Sequence, residues 1–278
     1  MFVETVTTLS TGVSVIELGQ RAFPTFKKIL TRLKRGDLKI AIFGAGGIGK
    51  TTLGKLLSQD FQLESLFSPY QESITIEEYQ LDSNVFGSVV VVPGQERRQD
   101  NWHDILRMIA VGKIQLIIHV VSWGYHSFGE ISYTNHRLYQ SGMTVEEFVE
   151  EYTKERRRRE LDVLEHIAPQ LSIAGGKKTI MITLVNKQDL WWQNRKLVKD
   201  YYMNGDYERV IQKIQNQRGA ANFIHEYRSV SLVMENFVSG AKELLVATTG
   251  GYDDRIKFAN LKYLLDTIDA LLKISLGR

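Results

Sequence analysis

Residues 39–51 read Lys-Ile-Ala-Ile-Phe-Gly-Ala-Gly-Gly-Ile-Gly-Lys-Thr, a short apolar run that passes directly into a glycine-rich turn. The turn fits the pattern G-x-x-x-x-G-K-[ST] and lies between a predicted strand and a predicted helix. Its glycines let the backbone fold back and point N–H groups at phosphate oxygens, and the following helix adds its positive end. The stretch therefore predicts a phosphate-binding loop. A chance glycine-rich turn is the alternative, and the strand–loop–helix setting argues against it.

Each residue type in this loop has a chemical role in binding a nucleotide. We expect the Lys50 amine to reach the β- and γ-phosphates, where it is also a candidate catalytic cation. The hydroxyl of Thr51 is a candidate ligand for Mg²⁺. The other candidate phosphate-binding residues are the rest of the loop and the residue that follows it: Gly44, Gly46, Gly47, Ile48, Gly49 and Thr52.

Outward from the loop, short β-branched runs alternate with amphipathic stretches. The predicted strands are residues 38–43, 73–81, 88–92, 114–121, 178–185 and 223–230. The predicted helices are residues 51–59, 100–111, 145–167, 207–217 and 255–274. This alternation is typical of an α/β fold with a mostly parallel sheet and helices on both faces. The short turn at 82–84 predicts a hairpin, so we expect one antiparallel edge strand.

Composition excludes several classes of protein. The chain has 278 residues, of which 43% are hydrophobic, so it can bury a core and is not disordered as a whole. It has no cysteine, which excludes disulfides and thiolate metal sites and favours the cytoplasm. A net charge of +3 gives no support to nucleic-acid binding across the chain. No apolar run reaches the roughly 18 residues of a membrane-spanning helix.

A second motif follows the predicted strand 178–185, which ends in Asn186-Lys187-Gln188-Asp189. Downstream of a phosphate loop, this tetrapeptide resembles the N-K-x-D motif of the Ras-like and Arf-like small GTPases. The resemblance implies a P-loop GTPase-like fold that binds GTP or GDP with Mg²⁺. It also implies that the Asp189 carboxylate accepts hydrogen bonds from guanine N1–H and the 2-amino group. The stem of Lys187 would lie against the base, and Asn186 would tie the two loops together.

This motif would select guanine over adenine. Adenine lacks the 2-amino group and carries an acceptor at N1, so ATP would leave the Asp189 carboxylate unpaired. The alternative reading of the residues is a strand-to-helix turn that Asp189 caps.

A third base-binding loop is predicted less specifically. After the strand 223–230 come Ser231 and Leu232, which are similar in position to the family's S-A-K loop, although only the serine matches. Residues 239–242 match the letters better but have no predicted strand before them. We favour Ser231 and Leu232, and the alternative stays open.

The segment after the third predicted strand resembles switch II of the family, whose pattern is D-x-x-G-Q-E. The resemblance implies that the Gly94 N–H binds the γ-phosphate and that Gln95 orients the attacking water. However, Val91 stands where the family has the aspartate that holds Mg²⁺ through a water. Because an apolar side chain cannot do this, we expect hydrolysis to be slow or to need a partner. A simple turn at 93–94 is the alternative.

Switch I should close over Mg²⁺ with a serine or threonine from the stretch between residues 59 and 75. Ser68, Ser73 and Thr75 are all candidates, and the sequence does not choose among them. In the family such loops bind effectors or regulators when GTP orders them.

Three further features have more than one reading. The run 156–159 is Arg-Arg-Arg-Arg beside several glutamates, which predicts a solvated helix face; a basic contact surface and an arginine finger are the alternatives. Arg97 and Arg98, nearer to the expected γ-phosphate, are further candidates for the finger. The aromatic-rich insertion at 122–143 either packs as a surface loop or contacts nucleotide or a partner. The pair at 191–192, Trp-Trp, is expected to pack near the base loop.

The expected organisation is a helical N-terminal extension, residues 1–36, followed by a Ras-like domain at 37–278. The basic amphipathic extension could lie on an anionic membrane, dock on a partner, or cover its own domain. The expected function is a guanine-nucleotide-binding switch. The alternative is a nucleotide-locked interaction module without useful hydrolysis. An ATP-using phosphate-loop enzyme is disfavoured by Asp189.

Overall fold

Six strands form one mixed sheet, and the strand that leads into the phosphate loop lies inside it. The computed structural model describes residues 31, 39–58, 77–80, 88–91, 102–129, 131–173 and 178–275, with the backbone alone at 58, 77–80, 88–91 and 275. The strands are β1 (Ile40–Phe43), β2 (Glu77–Gln80), β3 (Ser88–Val91), β4 (Leu116–Val121), β5 (Thr179–Val185) and β6 (Phe223–Ser229).

The spatial order of the strands is β2-β3-β1-β4-β5-β6. Every neighbouring pair is parallel except β2 and β3, which pair antiparallel. The prediction of a P-loop GTPase-like α/β fold with one antiparallel edge strand is thereby confirmed. Because β1 lies next to β4 and β4 next to β5, the loops that follow these three strands meet at one edge of the sheet.

Seven helices connect or cover the strands in the described ranges. They are α1 (Lys50–Ser58), α2 (His103–Ala110), α3 (Val145–Ile173), α4 (Gln188–Trp191), α5 (Arg195–Asn204), α6 (Asp206–Arg218) and α7 (Asp254–Ser275). The sequence predicted neither α4 nor α5. The predicted end of α3, at 167, is also too early. The helix continues through Pro169 to Ile173, and Leu171 beyond the proline is fully buried. None of these helices is both long enough and apolar enough to cross a membrane.

A small second sheet was also not predicted. Strands β7 (Phe237–Val238) and β8 (Leu244–Val246) pair antiparallel between β6 and α7. These strands are two and three residues long, too short for an alternating pattern to mark them in the sequence.

Helices cover both faces of the sheet, so its central strands are buried on both sides. Along β1, Ile40 and Ile42 pack with α1 and α7, whereas Ala41 and Phe43 pack with α2, α3 and α6. This alternation follows from the two-residue period of a strand. Burial on both faces explains why β1 is a continuous apolar run and why β4 and β5 are apolar apart from one histidine and two threonines. The N-terminal extension at 1–36 lies outside the described residues, apart from Thr31, which is helical.

A chain of polar side chains crosses the α6 side of the sheet. The His119 Nδ1 atom lies 2.6 Å from the Tyr207 hydroxyl, which lies 3.0 Å from the Thr183 hydroxyl. The Thr183 hydroxyl in turn lies 2.8 Å from Nε2 of His225. Burial lowers the pKa of His119 from 6.5 to about 4 and that of His225 from 6.5 to about 3. Both imidazoles are therefore neutral in the folded protein at neutral pH.

These histidines should make the fold sensitive to acid. The unfolded chain binds the proton near pH 6.5 and the folded chain only near pH 4, so stability is lost as pH falls through this window. Between pH 7.5 and pH 5, His119 alone should remove about 2 kcal/mol from the free energy of unfolding. Urea titrations at the two pH values measure it. The His119→Gln variant should show a shallower dependence, and His103→Gln, at an exposed position, should match the wild type. Equal slopes in all three proteins would contradict this account.

Candidate nucleotide-binding site

The phosphate loop curves around the amine of Lys50. Strand β1 ends at Phe43, and α1 begins at Lys50 after six loop residues. The Lys50 side chain is 8% exposed, and its Nζ donates a hydrogen bond of 2.6 Å to the Ala45 carbonyl. The cation is thus held within the loop, next to the backbone groups expected to meet phosphate. Thr51 and Thr52 follow in the first turn of α1, each half-buried.

The carbonyl of Gly47 is fixed by a residue that sequence reasoning missed. Ser127 donates to this oxygen twice, from its N–H at 2.9 Å and from its hydroxyl at 3.0 Å. Gly47 itself has a left-handed backbone with φ of 72°. The available signal was topological: the segment around Ser127 follows β4, the strand next to β1.

Replacing Gly47 by alanine should damage the loop by a close contact as well as by backbone strain. A Cβ there would lie 2.7 Å from both N and Cβ of Ser127. Gly142 is a suitable control, since its φ is 90° and a Cβ there would meet nothing within 4 Å. Gly142→Ala should therefore show the cost of the positive φ alone, about 1–2 kcal/mol of stability. Gly47→Ala should cost more and should also weaken nucleotide binding, as thermal unfolding and a nucleotide titration would measure. Equal losses would contradict the contact.

The amide of Asn186 joins three loops. Its Nδ2 donates 2.8 Å to the carbonyl of Ile48 in the phosphate loop. Its Oδ1 accepts 3.0 Å from the N–H of Leu232. The side chain is 3% exposed, so these contacts are shielded from water. The structure therefore brings together the N-K-x-D loop, the phosphate loop and the preferred third base loop.

Asp189 lies buried between its own loop and the segment after β6. Its Oδ1 accepts from the Ser231 hydroxyl, and its Oδ2 accepts 3.2 Å from the Glu235 N–H. Burial raises the pKa of the Asp189 carboxyl, and the bond from Ser231 is the strongest opposing effect. Each carboxylate oxygen has a second lone pair, so the group can accept further donors. Ser239, the alternative to Ser231, lies instead in the β7–β8 turn, where it donates 2.6 Å to Glu243.

Lys187 and Trp191 complete the N-K-x-D loop. Lys187 has a left-handed backbone with φ of 57°. Burial lowers the pKa of its amine, although the negative charges of Glu235 and Asp189 act to raise it. Trp191 is fully buried, and its indole N–H donates 2.8 Å to the carbonyl of Asn186. Trp191 thus holds the backbone of the N-K-x-D loop by this hydrogen bond. Trp192 packs on Tyr252 instead.

An open cleft lies between these loops. It runs from the phosphate loop to the third base loop, and residues of these two loops line its two ends. Lys50 directly follows Gly49 at one end, and the buried Asp189 carboxylate accepts from the N–H of Glu235 at the other. The residues that line the cleft are Gly47, Gly49, Thr52, Ser127, Asn186, Lys187, Leu232, Val233 and Glu235.

The donor set for a metal ion is small. Within the described ranges there is no cluster of three histidine or carboxylate groups that could hold a metal. Thr51 is the predicted magnesium ligand whose side chain is described. Mg²⁺ commonly takes one or two protein ligands and completes its shell with phosphates and water, so one hydroxyl fits a metal that enters with the nucleotide. Val91 ends β3 opposite Ile42, and its side chain is outside the description.

Several predicted site residues lie outside the described residues altogether. These are Gly94 and Gln95 of the switch II segment, Arg97 and Arg98 after it, and the switch I candidates Ser68, Ser73 and Thr75.

The prediction of a solvated face for the charged part of α3 is wrong at Glu160 and incomplete at Arg157. Glu160 is fully buried, and the guanidinium of Arg157 lies 5.1 Å from the ring centre of Trp123. The reason is that this face of α3 packs against the segment after β4. The neighbouring pair Arg159 and Glu155, 2.9 Å apart, does behave as a helix-surface ion pair.

The aromatic insertion at 122–143 is packed rather than open. Phe128 contacts the rings of Phe148 and Tyr152 on α3 and of Phe237 on β7. The β7–β8 turn is joined to the insertion by Glu243, which accepts 2.9 Å from the Ser132 hydroxyl. Through Ser127, the same insertion also lines the cleft.

Comparison of the sequence with protein-family models and with curated proteins gives no match. Among solved structures, the chain resembles an ADP-ribosylation-factor-like GTPase, the small COPII coat GTPase SAR1 of Encephalitozoon cuniculi, solved with GDP. The two are 14% identical over 92% of each chain, with a TM-score of 0.41. The SRβ-GTP/SRX complex of Chaetomium thermophilum is 10% identical over 82% of this chain and 97% of its own, with a TM-score of 0.39.

A GTP-binding protein of Sulfolobus solfataricus, also solved with GDP, is 12% identical over 96% of this chain and 70% of its own, with a TM-score of 0.34. Because all three TM-scores are below 0.5, these likenesses carry no argument about function. The fold is defined by the strand order and by the loop that follows β1.

Proposed function

We propose that the protein binds guanine nucleotides in this cleft and acts as a GTP-dependent switch. The observation that carries the proposal is the double hydrogen bonding of Asn186, which joins the Ile48 carbonyl to the Leu232 N–H. This contact joins the loop after β1 to the loop after β6 across one cleft, which supports a phosphate-binding role for the first and a base-binding role for the second. A mononucleotide needs this pairing, and a chance glycine-rich turn does not.

At the phosphate end, the backbone N–H groups of the loop and the Lys50 amine would neutralise the β- and γ-phosphates. The Thr51 hydroxyl would hold Mg²⁺, which supplies charge neutralisation between these phosphates when it is bound. Lys50 is already buried in the curve of the loop, so little of its side-chain freedom is lost on binding.

At the base end, Asp189 would accept from guanine N1–H and the 2-amino group. Its carboxylate is 1% exposed, so an adenine base, which offers no donors there, would leave a desolvated charge poorly paired. Lys187 would lie along the base. Together these contacts favour GTP and GDP over ATP.

Hydrolysis would depend on the segment that resembles switch II. Gln95 would orient water and Gly94 would bind the γ-phosphate, as their likeness to switch II implies. The valine at position 91 removes a water-mediated hold on Mg²⁺, so we propose slow or partner-dependent turnover. The second candidate is a nucleotide-locked interaction module, and the same valine favours it.

The switch loops and the N-terminal extension would determine the partners and the location of the protein. A switch of this type would present residues 60–75 and 93–100 to an effector or regulator when GTP is bound. Residues 1–36 would dock on a partner or on an anionic membrane surface. The absence of cysteine is consistent with a cytoplasmic protein.

The nucleotide that accompanies the freshly purified protein tests the proposal and separates its two forms. The protein is denatured, and the released small molecules are separated by chromatography against GTP, GDP, ATP and ADP standards. Released GDP would support the switch, and intact GTP would support the locked module. An adenine nucleotide would contradict the assignment of Asp189.

A further inference from the structure

A buried carboxylate on α3 organises the segment that follows β4. Glu160 is fully buried, and a carboxylate in that position is costly unless its oxygens are hydrogen-bonded. Its Oε1 accepts from the N–H groups of Ser122 and Gly124 at 2.8 and 3.1 Å. The same oxygen lies 3.0 Å from Nε2 of His126, and Oε2 accepts 2.5 Å from the Tyr202 hydroxyl. Both oxygens are therefore paired.

The backbone around this carboxylate is strained. Trp123 and Gly124 have φ angles of 52° and 85°, two left-handed residues in succession. This conformation turns neighbouring N–H groups inward, toward an anion, and is unusual for a residue as bulky as tryptophan. A Cβ on Gly124 would lie 2.1 Å from the Thr153 carbonyl of α3, so the segment also lies directly against the helix. Strain of this kind persists where the surroundings over-determine it, and it is common at functional sites.

Glu160 and His126 each have one protonation state near neutral pH. Burial alone would raise the pKa of Glu160, but the hydrogen bonds from His126, Tyr202 and the Ser122 N–H lower it below its usual range. Burial lowers the pKa of His126, so its imidazole is neutral and donates from Nε2. The Glu160 carboxylate is thus ionised whenever the protein is folded near neutral pH.

The organised segment leads straight to the phosphate loop. The residue after His126 is Ser127, which donates twice to the Gly47 carbonyl. The carbonyl of His126 is itself held by the Tyr152 hydroxyl at 3.2 Å. Only the His126–Ser127 peptide therefore separates the buried carboxylate from the group that fixes the phosphate loop.

We infer that Glu160 is a positioning residue for nucleotide binding, and that it acts through Ser127. The carboxylate fixes the segment 122–127, and Ser127 in turn holds Gly47 so that the loop N–H groups face the cleft before a phosphate arrives. The inference rests on the proposed function and adds how this chain prepares its site. A loop that is ordered in advance loses less freedom on binding, so removing either group should weaken affinity.

Equilibrium titration with a fluorescent GDP analogue tests the inference. Glu160→Gln keeps the shape and removes the charge, and Ser127→Ala removes one of the two bonds to Gly47. Each should weaken GDP binding about tenfold, the usual size of one hydrogen bond to a preorganised group. Glu165→Gln makes the same charge change at an exposed position of α3 and should stay within about twofold of the wild type.

Two further proteins separate positioning from general destabilisation. Ile211→Val removes a buried methylene on α6, far along the chain from the loop, and should lower the melting temperature without changing affinity. In the double variant Glu160→Gln/Ser127→Ala the two losses should not add, because one residue acts through the other.

Three results would overturn the inference while leaving guanine binding intact. They are affinity within twofold of the wild type in Ser127→Ala, losses that fully add in the double variant, and a comparable affinity loss in Ile211→Val. A wild-type protein that binds no GDP at all would instead overturn the proposed function together with this inference.

Discussion

The Asp189→Asn variant is expected to lose GDP affinity by about 100-fold, because two charge-assisted hydrogen bonds to guanine are removed or weakened. Asparagine offers one acceptor and one donor where the carboxylate offers two acceptors. Guanine N1–H can still be accepted, but the 2-amino group then faces the amide NH₂. Xanthine carries an oxygen in place of the 2-amino group, and this oxygen can accept from the asparagine NH₂. The variant should therefore bind xanthosine diphosphate better than GDP.

This reversal is more informative than a loss, since a misfolded variant would bind neither nucleotide. Competition of GDP and xanthosine diphosphate against a fluorescent GDP or xanthosine diphosphate probe measures it. Asp162→Asn, at an exposed position on α3, serves as the matched control and should keep the wild-type order. If Asp189→Asn binds GDP as tightly as the wild type does, then Asp189 does not contact the base.

The Lys50→Met variant is expected to weaken GDP and GTP binding by about 100-fold, because the cation that meets the β- and γ-phosphates is lost. Methionine keeps most of the aliphatic stem. Since the lysine is 8% exposed, replacing a buried charge by an apolar group should leave the free energy of unfolding unchanged or raise it. Affinity and stability should therefore move independently, which isothermal calorimetry and urea unfolding can show.

Lys55→Met is the control for this variant. Lys55 lies in the last turn of the same helix, and the same change there should leave affinity within about twofold. Undiminished nucleotide binding by Lys50→Met would mean that the loop after β1 is not the phosphate site.

The parts of the fold that the sequence predicted are those encoded by local patterns. The strand before Gly44 and the strand before Asn186 are mostly apolar runs that end in short motifs, and both lie inside the sheet as expected. Their adjacency to β4 is a finding of the structure, and parallel strands then bring the motifs that follow them to one edge of the sheet. Lys50 and Asp189 thereby lie in the same region.

The parts that the sequence did not predict depend on contacts between distant segments. Glu160 sits among arginines and glutamates, so its surroundings in sequence indicate solvent. One signal was available: it lies seven residues before Ile167 and eight after Tyr152, on the buried stripe of α3. For Ser127 the signal was only the position of its segment after β4, because its hydrogen bonds depend on how the insertion at 122–143 folds back over Gly47.

The two inserted segments explain why motif spacing alone gave an incomplete site. The insertion after β4 and the β7–β8 hairpin contact each other through Glu243 and Phe237. Ser127 of the insertion lines the same cleft as the predicted motifs, as do Val233 and Glu235 of the segment between β6 and β7. Tertiary packing positions these lining residues, and a motif of four to eight residues does not encode that packing.

Competition between GDP and ADP for the wild-type protein tests the central claim most directly. The protein is stripped of nucleotide, loaded with a fluorescent GDP analogue in the presence of Mg²⁺, and titrated with each unlabelled diphosphate. The account predicts that GDP displaces the probe at concentrations at least about 100-fold lower than ADP, because only guanine donates twice to the Asp189 carboxylate. Displacement by ADP at the same concentrations as GDP would contradict it.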